Sequence, residues 1–210
     1  MPSDPPLPTF LVQRYRAWRA TEFERNRAWF ARLAEEGQHP RCMVISCCDS
    51  RVSAIQMFGA DAGELFIHRN IAALVPPHTP SGNRLATSAA IEFAVKALKV
   101  AHVLVIGHSS CGGLKHLHEL HSGEAGGSFD YVTPWIEILG AEFEGRELPP
   151  AGPELEKAAV LVSLKNLGTF PFVQEAREAG LLSLHGLWFE IGSGRLEAWD
   201  EARRQFLEVR

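Results

Sequence analysis

Apolar residues recur along this chain at two spacings, and the alternation between them predicts the elements. Residues 41–47, 64–68 and 102–106 are short and almost continuously apolar (Met43-Val44-Ile45, Leu65-Phe66-Ile67, Val103-Leu104-Val105-Ile106), the pattern of strands buried on both faces of a parallel sheet. Between and after them the spacing is helical. Residues 53–58 and 87–98 read as helices, the second with Ala90, Phe93, Ala94 and Ala97 on one face. A further helix follows Gly112-Gly113 and carries Leu114, Leu117 and Leu120. Pro76, Pro77 and Pro80 mark a loop and Ser81-Gly82-Asn83 a turn.

Beyond Ser122-Gly123 the periodicity is weaker. Residues 131–143 and 172–179 predict helices, the latter stopped by Gly180, and Leu148-Pro149-Pro150 with Pro153 predicts a linker. Residues 154–167 suit strand or helix. The helix is preferred because Glu154, Glu156, Lys157, Ala158 and Ala159 start one well. Residues 182–191 and 195–199 alternate about Gly192-Ser193-Gly194, a hairpin signal, and the charged tail 201–210 is a short helix or strand.

The start of the chain reads differently. Residues 1–8 are proline-rich and extended. Leu11, Tyr15 and Trp18 then form one helical stripe. Thr21 with Glu24 predicts a capping box for a second helix bearing Phe23, Trp29, Phe30 and Leu33, ended by Gly37. Such an aromatic arm either packs on its own core or grips a second subunit. The expectation is an α/β fold: a central, mainly parallel β-sheet flanked by helices, with an N-terminal helical arm (1–36, a dimer contact), a single α/β domain (37–210) and a C-terminal β-hairpin.

Composition narrows the partners. The net charge of −4 offers no basic face for nucleic acid. No run approaches the roughly 20 apolar residues of a membrane span. Met1-Pro2-Ser3-Asp4-Pro5-Pro6 has neither the basic start nor the apolar core of a secretory signal. The expected compartment is the cytoplasm, where the four cysteines serve as metal ligands or free thiols.

The chemistry gathers at two strand ends. Ser46-Cys47-Cys48-Asp49-Ser50-Arg51 follows the first strand, and extended alternation sets Cys47, Asp49 and Arg51 on one side and Cys48 and Ser50 on the other. Two readings stand for this stretch. It is a soft metal ligand beside an acid paired with a fixed cation, or a structural cysteine followed by a surface turn. The third strand runs into Gly107-His108-Ser109-Ser110-Cys111-Gly112-Gly113, where His108 and Cys111, three residues apart across a strand-to-helix turn, can aim at one point. With Cys47 they form a Cys₂His set, which suits zinc and leaves its fourth position open. Cys42 begins its strand and Cys48 faces away, so neither closes the shell.

Cys47-x-Asp49-x-Arg51 followed by His108-x-x-Cys111-Gly112-Gly113 resembles the β-class carbonic anhydrases. Gly63-Glu64-Leu65-Phe66, Arg69-Asn70-Ile71-Ala72, Val75-Pro76-Pro77 and Ala89-Ala90-Ile91-Glu92-Phe93-Ala94-Val95 extend the similarity over nearly the whole chain, nearest to the plant-type branch. The resemblance implies reversible hydration of carbon dioxide to bicarbonate by a zinc-bound hydroxide, with one Zn2+ per chain on Cys47, His108 and Cys111. Asp49 would accept a hydrogen bond from that hydroxide, and Arg51 would keep Asp49 ionised and oriented.

The resemblance also implies that Gln38 reaches the substrate from a neighbouring subunit, and that Phe66, Ile71 and Phe93 line the carbon dioxide pocket. Phe93 stands where many members carry Tyr, so one hydroxyl is missing. The implied assembly is a homodimer or higher homo-oligomer. Competing readings are the same fold hydrolysing carbon disulfide or carbonyl sulfide, and a non-catalytic zinc-stabilised scaffold. Cys48 is expected to be a buried inert thiol, and Arg69 to pair with a carboxylate such as Glu64 or with a partner subunit. His68 and His185 are expected to be structural, and His116, His118 and His121 solvated.

Overall fold

The structure, a computed structural model, describes residues 7–80, 85–124 and 127–210. The expected Ser81-Gly82-Asn83 turn and most of the extended start lie outside the described residues. The chain forms two compact units, Met1–Gln38 and His39–Arg210.

The first unit holds α1 (Thr9–Trp18) and α2 (Arg27–Glu36), neither with a buried residue. Its aromatic residues cluster instead, with the Trp18 ring 5.9 Å from Phe30 and Phe23 5.3 Å from Phe30. The expected capping box is not formed. The helix continues past Trp18 through a π-turn over Arg19–Phe23, and Thr21 Oγ1 donates to the Ala17 carbonyl one turn back (2.9 Å). Glu24 takes Arg27 as its partner at 2.7 Å, and α2 starts only there. Gly37 ends it at φ 81°, a conformation open to glycine.

In the second unit β1 (Cys42–Cys47), β2 (Leu65–Asn70) and β3 (His102–His108) are parallel, as their apolar runs predict. β4 (Ser183–Glu190) extends the parallel set, and β5 (Arg195–Asp200) and β6 (Gln205–Glu208) add antiparallel strands. The order is β2-β1-β3-β4-β5-β6. From β1 the chain steps outward to β2, then crosses back to β3 on the other side. Strand order therefore reverses between β1 and β3, and the crevice outside their carboxyl ends is where an open α/β sheet receives ligands. Cys47 ends β1, and His108 ends β3.

The helices are α3 (Ala54–Phe58), α4 (Ala86–Glu92), α5 (Gly112–Ser122), α6 (Val132–Gly140), α7 (Pro153–Leu167) and α8 (Pro171–Glu178). One face of the sheet packs Met43, Ile45, Val103 and Val105 with Ile91 of α4, Ala94 just beyond it, Val160 of α7 and Val173 of α8. The other face carries Val44, Ile106 and Leu187 against Ala54 of α3. A third group at the carboxyl ends joins Cys47 and Cys111 with Leu114, Leu117, Ile136 and Leu155. The ambiguous 154–167 segment is helical. Its buried positions recur at helical spacing on a broad face, which explains why its pattern also resembled a strand.

The 87–98 helix buries a different face from the one expected. Ile91 and Ala94 are buried, whereas Phe93 is 49% exposed and Ala97 is also exposed. A π-turn over Phe93–Ala97, with Leu98 N–H on the Phe93 carbonyl (3.0 Å), inserts a residue and rotates later positions off the 3.6-residue period. Among the described residues no helix is long and apolar enough to cross a membrane.

Two glycines let α7 ride directly on β3 and β4. A Cβ at Gly107 would stand 2.6 Å from Val160 Cγ2, and one at Gly186 would stand 2.8 Å from Leu164 Cδ1 and 2.9 Å from Val160 Cγ1. Gly186→Ala should therefore cost about 1–3 kcal/mol through overpacking. Urea denaturation reads this as a lower midpoint at unchanged slope, and an unchanged midpoint would show that α7 can step back freely.

Candidate metal centre

Cys47, His108 and Cys111 offer one ligand atom each, and the three atoms lie within 4.8 Å of one another. All are buried, at 5%, 1% and 3% exposure. Two strand ends and one turn bring them together. After β3 the chain places Ser110 in the left-handed region (φ 56°), then Cys111 in extended conformation immediately before α5. That sharp reversal returns Cys111 towards His108.

Three features test whether a cation fits. His108 Nδ1 donates to the Ser109 carbonyl at 2.9 Å, which leaves the Nε2 lone pair facing the cluster. Nε2 is buried and has no hydrogen-bond partner among the described residues, a costly state for a polar atom. The thiols supply the third feature. The neighbouring Cys111 thiol pulls Cys47 down to about 4, against the effect of burial, and the Ala72 N–H on Cys47 Sγ at 3.3 Å helps. Cys111 in turn is pushed far above the thiol range, first by Cys47 and then by burial. Two adjacent buried sulfurs resist becoming two thiolates unless a cation lies between them. Two sulfurs and an imidazole suit zinc, and the residues fit it.

Aiming the Ala72 N–H at Cys47 strains the backbone. Ala72 and Ala73 both take left-handed conformations, at φ 62° and 55°, where an L-residue pays roughly 1–2 kcal/mol. The preceding residue, Ile71, packs so tightly that a Cβ on Gly113 would stand 2.7 Å from its Cγ2. Ile71 is therefore beside the cluster.

Asp49 meets it from the other side. Its Oδ2 is 3.9 Å from His108 Nε2. Arg51 donates from Nε to Oδ1 (2.9 Å) and from Nη2 to Oδ2 (2.7 Å), and its backbone N–H adds a bond to Oδ1 at 2.9 Å. This fork holds the Asp49 carboxyl well below the usual carboxylate range. Asp49 and Arg51 converge through a turn, closed by Val52 N–H on the Asp49 carbonyl (3.0 Å), rather than by strand alternation.

Two expectations are corrected here. Cys48 is exposed, not buried, and borders a cavity of about 350 Å³ with Ile71, Tyr131 and Trp135. It lies one residue past the end of β1, with its N–H still on the Asn70 carbonyl of β2 at 2.8 Å. Arg69 does not pair with Glu64, whose Oε2 accepts the Asp61 N–H (2.8 Å). Instead its Nε donates to the Cys47 carbonyl (2.9 Å) and its Nη2 to the carbonyls of Asp49 (2.7 Å) and Val52 (2.9 Å). A guanidinium beside a turn with three outward carbonyls finds its acceptors there.

Phe66 and Phe93 stand together, rings 5.8 Å apart, but not at this cluster. Phe66 lies opposite Met43 in the β1–β2 register. Four residues of strand, about 13 Å, separate that level from Cys47. Gln38 belongs to the N-terminal unit.

Of the histidines, His68 bonds Thr87 Oγ1 (2.9 Å) and His185 bonds His102 (3.2 Å), structural partners both. Sequence reading missed Glu156, a buried acid on α7 whose Oε1 accepts the Cys111 N–H (3.4 Å). It sits one helical repeat before Val160 on the buried face, and a charged residue in that register was the available signal.

Comparison with known proteins agrees with this geometry. The family model described as carbonic anhydrase matches residues 42–196. Beta carbonic anhydrase 3 of Arabidopsis thaliana is 32% identical over 190 residues, which cover 87% of this chain and 73% of that protein. The solved structure of the beta-carbonic anhydrase CcaA superposes with a TM-score of 0.80 at 30% identity, covering 95% of this chain and 91% of that one. A tetrameric beta-carbonic anhydrase from Sordaria macrospora gives 0.72 at 30% identity, covering 90% and 94%. Sequence, fold and the cluster at the β1–β3 crevice thus converge, and the chain belongs to the carbonic anhydrase family, in its β class.

Proposed function

We propose that this chain catalyses the zinc-dependent, reversible hydration of carbon dioxide to bicarbonate. The observation that supports it is a buried Cys₂His cluster with a paired, ionised carboxylate 3.9 Å from its imidazole. Zinc, held by Cys47, His108 and Cys111, would supply Lewis-acid activation of a bound water. Asp49, kept ionised by Arg51, can only accept, so it orients the attacking water by its O–H and turns the oxygen lone pair towards the carbon. One new C–O bond forms, and one proton leaves to solvent. Ile71 lends an apolar wall beside the cluster.

Phe66 and Phe93 do not reach this wall within their own chain, yet Phe93 is half exposed on the surface. We assign these two, with Gln38, to the site of a second copy, and the aromatic arm to the contact between copies. The active unit is then a homodimer or a larger homo-oligomer. The Sordaria macrospora relative is described as tetrameric. A reducing cytoplasm suits the chain, because its four cysteines are free and zinc binding needs two of them as thiolates.

Stopped-flow assay of the zinc-loaded protein should show carbon dioxide hydration, and elemental analysis should find one zinc per chain. Cys111→Ala should retain little zinc; full occupancy there would sink the ligand assignment.

Arg51→Gln breaks the fork on Asp49 and leaves the metal ligands in place. It should lower kcat by about 10–100-fold with KM little changed, the mark of an interaction used in the transition state. An unchanged kcat would remove Arg51 from the mechanism.

Deleting residues 1–36 should give an inactive monomer by light scattering and hydration assay. A fully active monomer would refute the shared site.

A further inference from the structure

We propose that Glu156 is a positioning residue for Cys111, clamping from behind the peptide group that aims its thiol. The inference rests on Cys111 being a zinc ligand, as proposed above. Glu156 is 3% exposed, in the first turns of α7, the helix that Gly107 and Gly186 allow onto the sheet. Among the described residues it forms no ion pair. Its neighbour Lys157 turns to Glu197 instead, at 2.5 Å. Burying a carboxyl group without a cation is costly unless hydrogen bonds compensate. Glu156 has two such donors. Oε1 accepts the Cys111 backbone N–H at 3.4 Å, and Oε2 accepts the indole N–H of buried Trp188 at 3.0 Å.

The peptide linking Ser110 to Cys111 is thus held at both poles. On its oxygen, Arg51 Nη2 donates to the Ser110 carbonyl at 3.1 Å. On its nitrogen, Glu156 accepts. A guanidinium at the carbonyl end and a carboxyl group at the N–H end match the peptide dipole, and each bond favours the same orientation of the plane. The local backbone needs this support. Ser110 is left-handed without being glycine, and Cys111 precedes α5, so its N–H has no partner within that helix. If the plane rotates, Cys111 Sγ swings away from Cys47 and His108. Trp188 fixes the clamp itself, since its indole N–H leaves the carboxyl group one orientation.

Glu156→Gln tests this without changing side-chain volume. One acceptor oxygen becomes an NH2 group, which must face either the Cys111 N–H or the Trp188 N–H, donor against donor. The zinc-loaded variant should lose metal to a chelator about tenfold faster or more, the usual effect of removing a partner behind a metal ligand. Its cobalt-substituted form should show altered thiolate-to-metal absorption. Adding Trp188→Phe removes one of the two donors and lets the amide oxygen face Cys111, so zinc retention should recover most of the loss. Zinc loss within about twofold of the parent for Glu156→Gln, or losses that simply multiply in the double variant, would overturn the proposal.

A measurement on the unaltered protein stands independently of these variants. With 15N-labelled cysteine in the zinc-loaded protein, the Cys111 amide should be protected from exchange as that of Cys48 is, whose N–H donates to the Asn70 carbonyl at 2.8 Å. Exchange of Cys111 at the rate of an unbonded amide would overturn the clamp. The zinc content of Cys111→Ala separates the two levels: if zinc survives there, the ligand assignment fails. If zinc is lost there but Glu156→Gln holds it like the parent, only the role of Glu156 fails.

Discussion

Two sulfurs and an imidazole lie within 4.8 Å of one another in an apolar interior, and most of the surrounding structure answers to that fact. Two negative charges at such a distance repel by about 4 kcal/mol even at an effective dielectric of 20. A cation removes the repulsion, but the protein must first hold the donors convergent without one. It does so with backbone. The Ala72 N–H faces Cys47, and the first turn of α5 presents its N–H groups to Cys111. Both arrangements need left-handed residues that are not glycine, at Ala72, Ala73 and Ser110. Strain of roughly 1–2 kcal/mol at each is tolerable only where neighbouring contacts leave no alternative.

The parts of this design visible in sequence are those that depend on local order. Parallel strands buried on both faces appear as apolar runs, so β1, β2 and β3 were legible, as was the convergence of Cys47 with His108-x-x-Cys111. The misreadings share a different cause. The face of the 87–98 helix is misassigned because alanines stand on several of its sides, while the buried stripe is Thr87, Ile91 and Ala94 at ordinary helical spacing. Thr21 and Glu24 fit a capping box in spacing, but the helix had no reason to end between Trp18 and Thr21, and the hydroxyl found a carbonyl one turn back. Arg69 was read through its charge when its planar array of donors mattered more. Three backbone carbonyls are invisible in a sequence, and together they outcompete one flexible carboxylate. Glu156 escaped notice for the opposite reason. A Glu beside a Lys early in a helix looks like a solvated turn, and only its register with Val160, one helical repeat on, marks it as facing inward.

The separation of Phe66 from the cluster follows from strand register, and Phe93 stands with Phe66, their rings 5.8 Å apart. Residues on one parallel strand cannot serve both ends of it, and the level of Met43 is fixed by the same ladder that puts Cys47 at the crevice. The chain's own crevice therefore holds its charged and metal-binding groups together with Ile71, while its other apolar residues of interest face elsewhere.

The grip of Arg69 on the carbonyls of Cys47, Asp49 and Val52 has a consequence in time as well as space. A free six-residue loop would give up about 1–2 kcal/mol of backbone entropy per residue on ordering. Were that ordering coupled to each encounter with substrate, it would add to every barrier the reaction crosses. Fixed by one side chain from the adjacent strand, the loop orders when the chain folds. A small, weakly bound gas offers little binding energy with which to organise anything, so a site for it has to be finished before the molecule arrives.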